Sequence, residues 1–181
     1  PRLAVDRAFT VAGFGTVVTG TLIDGSFALG QEAEFVPSGI KGRVRGLQSH
    51  HKKLETADPG RSLAVHLSAL SPDQVHRRHQ ATSPGMPRPP TMINAKIKLL
   101  KNAPRPMKHN ARVSFHVLVS ETPARVRLLD TRELLPGQEA WAQIHLSNPV
   151  PLVKGDFFVV RDTETTLGGG KVVDPFPQRH R

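Results

Sequence analysis

The sequence predicts an all-β chain built as two consecutive small antiparallel β-barrels. Three observations carry this reading. Apolar residues recur at every second position in short runs bounded by Gly, Pro, Asn, Asp and Ser, and counting these runs gives roughly a dozen strands. No stretch of ten residues has the three-to-four spacing of an amphipathic helix. Between Ser71 and Pro90 the alternation lapses into a segment with prolines at 72, 84, 87, 89 and 90, the texture of a linker. The expected division is therefore a first barrel over residues 1–72, a closing segment and Pro-rich linker over 73–90, and a second barrel over 91–181.

In the first unit, Leu3, Val5, Phe9 and Val11 alternate with Ala4, Ala8 and Thr10, the period of a half-buried strand. Arg7 falls on the apolar register. An unpaired buried charge is expensive, so Arg7 must sit at a bulge or at a barrel end open to water or ligand, with Asp6 as its obvious partner. Gly13 and Gly15 then bracket a bend that needs positive φ, and Thr16 to Thr19 suit a pleated surface, so the two runs form a hairpin. The glycines do not make a phosphate loop. A dinucleotide fingerprint reads G-x-G-x-x-G, the third glycine here arrives late at Gly20, and β-branched residues follow where a helix would have to open. Asp24-Gly25-Ser26 and Leu29-Gly30-Gln31 supply turns, and Ala33 to Val36 is a short strand stopped by Pro37-Ser38-Gly39. Lys41 to Leu47 reads as an irregular, basic edge strand, and Leu63, Val65 and Leu67 mark another strand after Ala57-Asp58-Pro59-Gly60.

In the second unit, Ile93, Ala95, Ile97 and Leu99 alternate with Asn94, Lys96 and Lys98. Val113, Phe115, Val117 and Val119 form the clearest strand, with Arg112, Ser114 and His116 on its other face, and Val126 and Leu128 oppose Arg125 and Arg127 in the next. Strands at Trp141 to Leu146, Phe157 to Val160 and Lys171 to Val173 follow, the last preceded by Gly168-Gly169-Gly170. The segment Gly-Gln-Glu-Ala occurs at both 30–33 and 137–140, which chance explains as well as duplication does.

Composition narrows the function. Among 181 residues, 25 Lys and Arg face 15 Asp and Glu, a net charge of +10 that favours an anionic partner, most often nucleic acid, through release of condensed counterions. A solvated basic surface kept for solubility is the plain alternative. The absence of cysteine excludes disulfides, thiolate zinc sites and thiol nucleophiles, and fits a reducing compartment. No apolar run reaches the roughly 18 residues of a spanning helix, so no membrane partner is expected. His50-His51, His76 with His79, and His109 with His116 lack carboxylates or thiolates at ligand spacing, so no metal site is expected. The chain starts at Pro1, directly in a strand, and reads as a fragment.

With these residues on the page a resemblance appears. Pro1 to Val11 followed by Gly13-Phe14-Gly15-Thr16-Val17-Val18-Thr19-Gly20-Thr21 resembles the opening of the second domain of translational GTPases, the group that includes elongation factor Tu. Asp6-Arg7, Val44-Arg45-Gly46-Leu47-Gln48 and Thr166 to Pro175 narrow it to the selenocysteine-specific elongation factors. The resemblance implies domains two and three of such a protein. Its GTPase domain, with GTP and Mg, would precede this chain, and the mRNA-binding domains of bacterial members would follow. It implies a cytoplasmic chain that is not itself an enzyme and holds no cofactor, with selenocysteyl-tRNA, the ribosome and the GTPase domain as partners.

The implied roles map onto named residues. The first barrel would recognise the charged selenocysteyl end, where Arg7 faces the selenolate and Asp6 holds the guanidinium. The second would contact the tRNA stem, with Lys96, Lys98, Lys101, Arg105, Lys108, Arg112, Arg125 and Arg127 as candidate phosphate contacts. The family's Gly-x-Arg-x-Ala turn reads Gly60-Arg61-Ser62-Leu63-Ala64 here. A one-residue shift moves Arg61 to the other face unless a bulge compensates, so Arg61 is an uncertain member of the pocket. Likewise Arg78-His79 stands where the family closes its barrel with Arg-Gly. Domains two and three of another translational GTPase, or an independent RNA- or ribosome-binding double barrel, are the alternatives.

Overall fold

The computed structural model describes residues 1–178; the last three residues of the expected second barrel lie outside them. The described chain divides into two compact units, Pro1–Arg88 and the residues from Pro89 onward. Helical structure among the described residues is a single 3-10 turn, Pro72–Gln74, where the Ser71 N–H donates to Gln74 Oε1 at 2.9 Å.

The first unit is a ring of six strands: β1 (Arg2–Val11), β2 (Gly15–Asp24), β3 (Glu32–Val36), β4 (Ile40–Ser49), β5 (Arg61–Ser68) and β6 (Gln80–Thr82). Around the ring they run β1, β2, β5, β4, β3, β6 and back to β1, every pairing antiparallel. Closure removes the exposed edges that an open sheet would leave. It also corrects the reading of Lys41 to Leu47 as an edge strand. β4 is paired on both sides, and its basic residues are exposed because Gly42, Val44 and Leu47 take the inward positions. Gln80–Thr82, inside the stretch 73–90, bonds to β1 on one side and β3 on the other and completes the ring.

A bulge in β1 decides the chemistry of the outer wall. Val5 pairs with Gly20 and Arg7 with Thr19, so Asp6 is one extra residue on the β1 side. One extra residue exchanges the inner and outer faces of everything beyond it. Leu3 and Val5 are buried in the core, but past the bulge Ala8 packs against it, while Phe9 is 39% exposed. The expectation that Phe9 and Val11 share the buried register of Leu3 and Val5 is corrected accordingly. Gly20 has a different role from Gly13 and Gly15, which sit at φ 79° and 78° in the bend. A Cβ on Gly20 would overlap the Ala4 carbonyl oxygen of β1, so glycine lets the two strands close.

The second unit is also a closed ring: β7 (Met92–Leu99), β8 (Ala111–Val117), β9 (Ser120–Leu128), β10 (Glu139–Leu146), β11 (Phe157–Arg161) and β12 (Thr166–Asp174). Its order is β7, β10, β9, β8, β11, β12 and back to β7. Ile93, Ile97, Phe115, Val126, Ile144 and Phe158 fill the centre, with the Phe115 and Phe158 rings stacked at 4.9 Å. Two expectations change here. β8 ends at Val117, because Leu118 turns at φ 50°, so Val119 is not part of it. Gly168, Gly169 and Gly170 lie within β12 rather than before it, and a Cβ on any of them would strike a neighbouring strand's carbonyl oxygen.

The repeated Gly-Gln-Glu-Ala is a repeated turn. Gly30 and Gly137 have φ 79° and 84°, and the next glutamine N–H donates three residues back, Gln31 to Ala28 O at 3.3 Å and Gln138 to Leu135 O at 3.0 Å. Each glutamine Oε1 accepts the N–H of that same residue in return, at 3.1 Å and 3.4 Å. The two rings connect their strands in different orders, so the recurrence reflects turn chemistry rather than a copied barrel.

Candidate nucleic-acid interface

The Asp6 bulge turns Arg7 onto the outer wall of the first barrel, where its side chain is 72% exposed and its Nε lies 3.7 Å from Asp6 Oδ2. Register carries this position across the wall: Arg7, Thr19, Ala64 and Gln48 form one outward row, and Phe9, Val17, His66 and Gly46 form the next. The second row floors a groove of about 500 Å³ that Phe14 and Val11 also line, with Arg45 and Lys53 among its walls. Phe14 meets His66 edge-on, with ring centroids 5.4 Å apart. Gly46, at a bulge in β4, makes room for that histidine, since a Cβ there would press on His66 Cγ at 3.3 Å. Beside Arg7, the Thr19 hydroxyl is buried and has no hydrogen-bond partner among the described residues. A buried hydroxyl without a partner is costly, which makes it a natural group for a ligand to satisfy.

Arg61 is not brought to this place. No bulge interrupts the β2–β5 pairing, so Arg61 keeps the alternation of Leu63 and Val65, opposite Leu22 at the barrel end. It stands three positions from Ala64, about 10 Å along β5. Sequence reasoning missed Thr19, Phe14, Val17, His66 and Gln48, and it placed Phe9 inside the core. A bulge was one of two places open to Arg7; that it falls at Asp6 and so reverses the faces of Phe9 and Val11 depends on the pairing with β2.

The closing loop of this barrel abuts the same strand. Val5 N–H donates to His79 O at 3.1 Å, and His79 Nδ1 accepts the His76 N–H at 3.3 Å, so His79 is held with that nitrogen unprotonated. Burial lowers the His79 pKa, and the nearby His76 lowers it further. Arg78 adopts φ 98°, a left-handed conformation.

The eight basic residues expected in the second barrel fall into separate groups. Lys96 and Lys98 point outward from β7, and Lys101 follows it, in a trough shared with Lys171 and Phe157. Glu139 binds Lys96 at 2.9 Å and Lys98 at 3.8 Å, and the Lys96 hydrogen bond and charge hold its carboxyl below the usual value. Arg112 and Arg125 stand directly opposite each other on β8 and β9, and Arg125 pairs in turn with His145. Arg127 follows on β9 opposite Gln143. Arg105 pairs with Asp162 at 3.8 Å, while Lys108 lines a cavity of about 740 Å³ with His109, Asp130 and Arg132. β7 and β8 occupy opposite positions of a six-strand ring, so the lysine and arginine groups look in different directions. Among the described residues no three His, Asp or Glu side chains converge to hold a metal ion, and no helix is long and apolar enough to cross a membrane.

Two closed antiparallel barrels in succession are the fold of domains two and three of translational GTPases. Residues 94–179, most of the second barrel, match the family described as "Selenocysteine-specific elongation factor, beta-barrel domain". The chain is 38% identical over 182 aligned positions, 99% of its length, to the selenocysteine-specific elongation factor of Desulfomicrobium baculatum, of which it covers 29%. It is 28% identical over 174 positions, 94% of its length, to elongation factor Tu 2 of Streptomyces avermitilis, of which it covers 45%. The chain thus spans less than half of either relative.

Proposed function

We propose that this chain is the tRNA-holding barrel pair of a selenocysteine-specific elongation factor, working with a GTPase domain and the ribosome to deliver selenocysteyl-tRNA. The observation that supports it best is the Asp6 bulge, which sets Arg7 beside the buried Thr19 hydroxyl and next to an aromatic groove. Each part suits one part of an aminoacylated RNA end. The groove of Phe9, Val17 and His66 offers faces on which an unpaired base stacks. Thr19 supplies a hydroxyl, and Arg7, with Asp6 beside it, supplies a cation. A selenol is largely ionised at neutral pH and a serine hydroxyl is not. A hydrogen bond to a charged group contributes roughly 1.5 to 3 kcal/mol, so Arg7 would favour selenocysteine on the order of tenfold to a hundredfold. Arg61 lies outside this arrangement. In the second barrel Arg112, Arg125 and Arg127 form the surface suited to a duplex backbone such as the tRNA stem.

In this reading the chain performs no chemistry itself. GTP and its Mg would act on the GTPase domain, mRNA would be read by further domains, and the work would be done in the cytoplasm. The test is equilibrium binding of the chain to selenocysteyl-tRNA and to seryl-tRNA. The expected result is a preference for the selenium form that Arg7→Ala largely removes while leaving overall tRNA affinity in place. Equal affinity for both charged tRNAs in the unaltered chain would defeat the selenocysteine assignment.

A further inference from the structure

The second barrel carries two basic groups that differ in how their charge is compensated. On the lysine side, Glu139 binds Lys96 at 2.9 Å and Lys98 at 3.8 Å. On the arginine side, Val113, Ala124, Val126, Ile144 and Leu146 take inward positions of β8, β9 and β10, so Arg112, Arg125 and His145 alternate outward between them. These are three neighbouring strands of the ring, and register sets the side chains in one line, Arg112 opposite Arg125 and Arg125 opposite His145. All three line one hollow of about 410 Å³, which Pro123 and Ser147 also line. No carboxylate lines it, and none pairs with Arg112 or Arg125 among the described residues. Glu121, four residues before Arg125 on β9, accepts a hydrogen bond from Ser114 Oγ at 3.0 Å.

Like charges directly opposite on antiparallel strands are destabilising, because their Cα atoms stand only about 4.5 to 5.5 Å apart. Two arginines set there, beside a histidine and without an acid, leave a repulsion that an anion lying between them removes. Phosphate suits arginine in particular. The planar fork donates two parallel N–H bonds to phosphate oxygens, and two forks from adjacent strands can hold one phosphate from two sides. His145 and the Ser147 hydroxyl can donate to the oxygens left over. The hollow has room for the sugars that flank a phosphate in a nucleic acid, and neither Phe nor Trp lines it to stack a free base. That favours the backbone of a duplex, whose bases are hidden, over an unpaired strand.

We propose that Arg112 and Arg125, with His145 and Ser147 beside them, form a single-phosphate site that grips one backbone phosphate of an RNA stem, the two arginines acting as a unit. It rests on the reading that this barrel meets the tRNA stem, and it replaces a diffuse basic face by one phosphate held between two strands of the barrel. The experiment titrates the 181-residue chain with a short RNA duplex over a range of salt, comparing the unaltered chain with Arg112→Gln, Arg125→Gln and the double variant. Either single substitution should weaken the duplex about tenfold, and the double variant should stay within about threefold of the singles, because the second arginine loses its role with the first. The salt slope should fall by about 0.9 in the double variant, the value for one phosphate. Thermal melting followed by Trp141, the only tryptophan of the chain, gives a second readout on this barrel. In chloride without phosphate, Arg125→Gln should raise the transition by about 1 to 8 °C by removing the repulsion. Inorganic phosphate at the same ionic strength should raise the transition of the unaltered chain and leave that of the variant where it is. Additive losses with a slope change of about 1.8 would put the two arginines on two separate phosphates and overturn the proposal. Unchanged duplex affinity in the double variant also overturns it, and stabilisation by inorganic phosphate in that case makes the hollow a site for a free anion. The selenocysteyl over seryl preference, measured on the same variants, tests the first barrel alone, so either reading can fail while the other stands.

Discussion

Replacing Gly20 by alanine tests the account of the Gly-Thr-Val-Val-Thr-Gly segment. Gly20 does not have positive φ, so the penalty is not conformational; it comes from the added methyl, which would overlap the Ala4 carbonyl oxygen and press on Leu3 Cγ at 3.3 Å. β1 must move away from β2 next to the bulge, and overpacking of this kind costs about 1 to 3 kcal/mol. The first unit has 88 residues, Pro1–Arg88. At about 2.1 cal/mol/K per residue its unfolding entropy is roughly 185 cal/mol/K, so its transition should fall by about 5 to 16 °C. Calorimetry reads both barrels, and Trp141 fluorescence reads the second barrel as an internal reference. The control is Gly13, at φ 79° with nothing within 4 Å of an added Cβ. Gly13→Asn should be tolerated, because asparagine accepts the left-handed region, whereas Gly20→Asn should be worse than Gly20→Ala. If Gly20→Ala melts like the unaltered chain, the close approach of β1 and β2 is not what the glycine serves.

Other expectations follow from the same geometry. Deleting Asp6 leaves Val5 opposite Gly20 and Arg7 opposite Thr19 in one uninterrupted register, so the barrel should melt within about 5 °C of the unaltered chain. The deletion should nonetheless lose the selenocysteyl over seryl preference, because Arg7 loses the carboxylate beside it. The Glu139 carboxyl, held low first by the Lys96 hydrogen bond, should titrate below 4.5, and Lys96→Met should raise its midpoint in carbon-detected NMR; the pair persists at neutral pH and is lost as pH falls through that lowered value. His79 is held neutral by burial, so its contribution to stability is full above the ordinary value of 6.5 and is lost as pH falls through its lowered folded value. A proton NMR titration should place that midpoint below 6.5, and His76→Asn should raise it.

What was legible in the sequence is what a single strand determines by itself. Leu63, Val65 and Leu67, or Ile93, Ala95, Ile97 and Leu99, show an inner face by period alone, and the positive-φ bend at Gly13 and Gly15 follows from residue type. What was not legible depends on a partner strand. Gln80–Thr82 closes the first ring with two polar side chains that are fully buried, Thr82 donating to Glu34 O at 3.3 Å. It shows no apolar alternation because Ala81 is its one apolar residue in the core, and ladder bonds to β1 and β3 hold the rest. β4 looked like an edge because its basic residues are visible in sequence and its second neighbour is not. The grouping of the charges was hidden for the same reason: Lys96 and Arg112 look equivalent along the chain, and only ring order separates them.

The candidate site shows how one residue of register decides chemistry. Arg7 on the apolar register required either a bulge or an open barrel end, a constraint that solvation energy places on the sequence itself. The bulge solution has a consequence that the constraint alone does not contain. It exchanges the faces of every later residue in β1, so the same step that brings Arg7 into water also takes Phe9 out of the core and sets it in the groove with Val17 and His66. With Asp6 in the chain, cation and stacking surface therefore take their outward places together, through a single bulge. Gly20, which lets β1 and β2 approach beside the bulge, holds both in place.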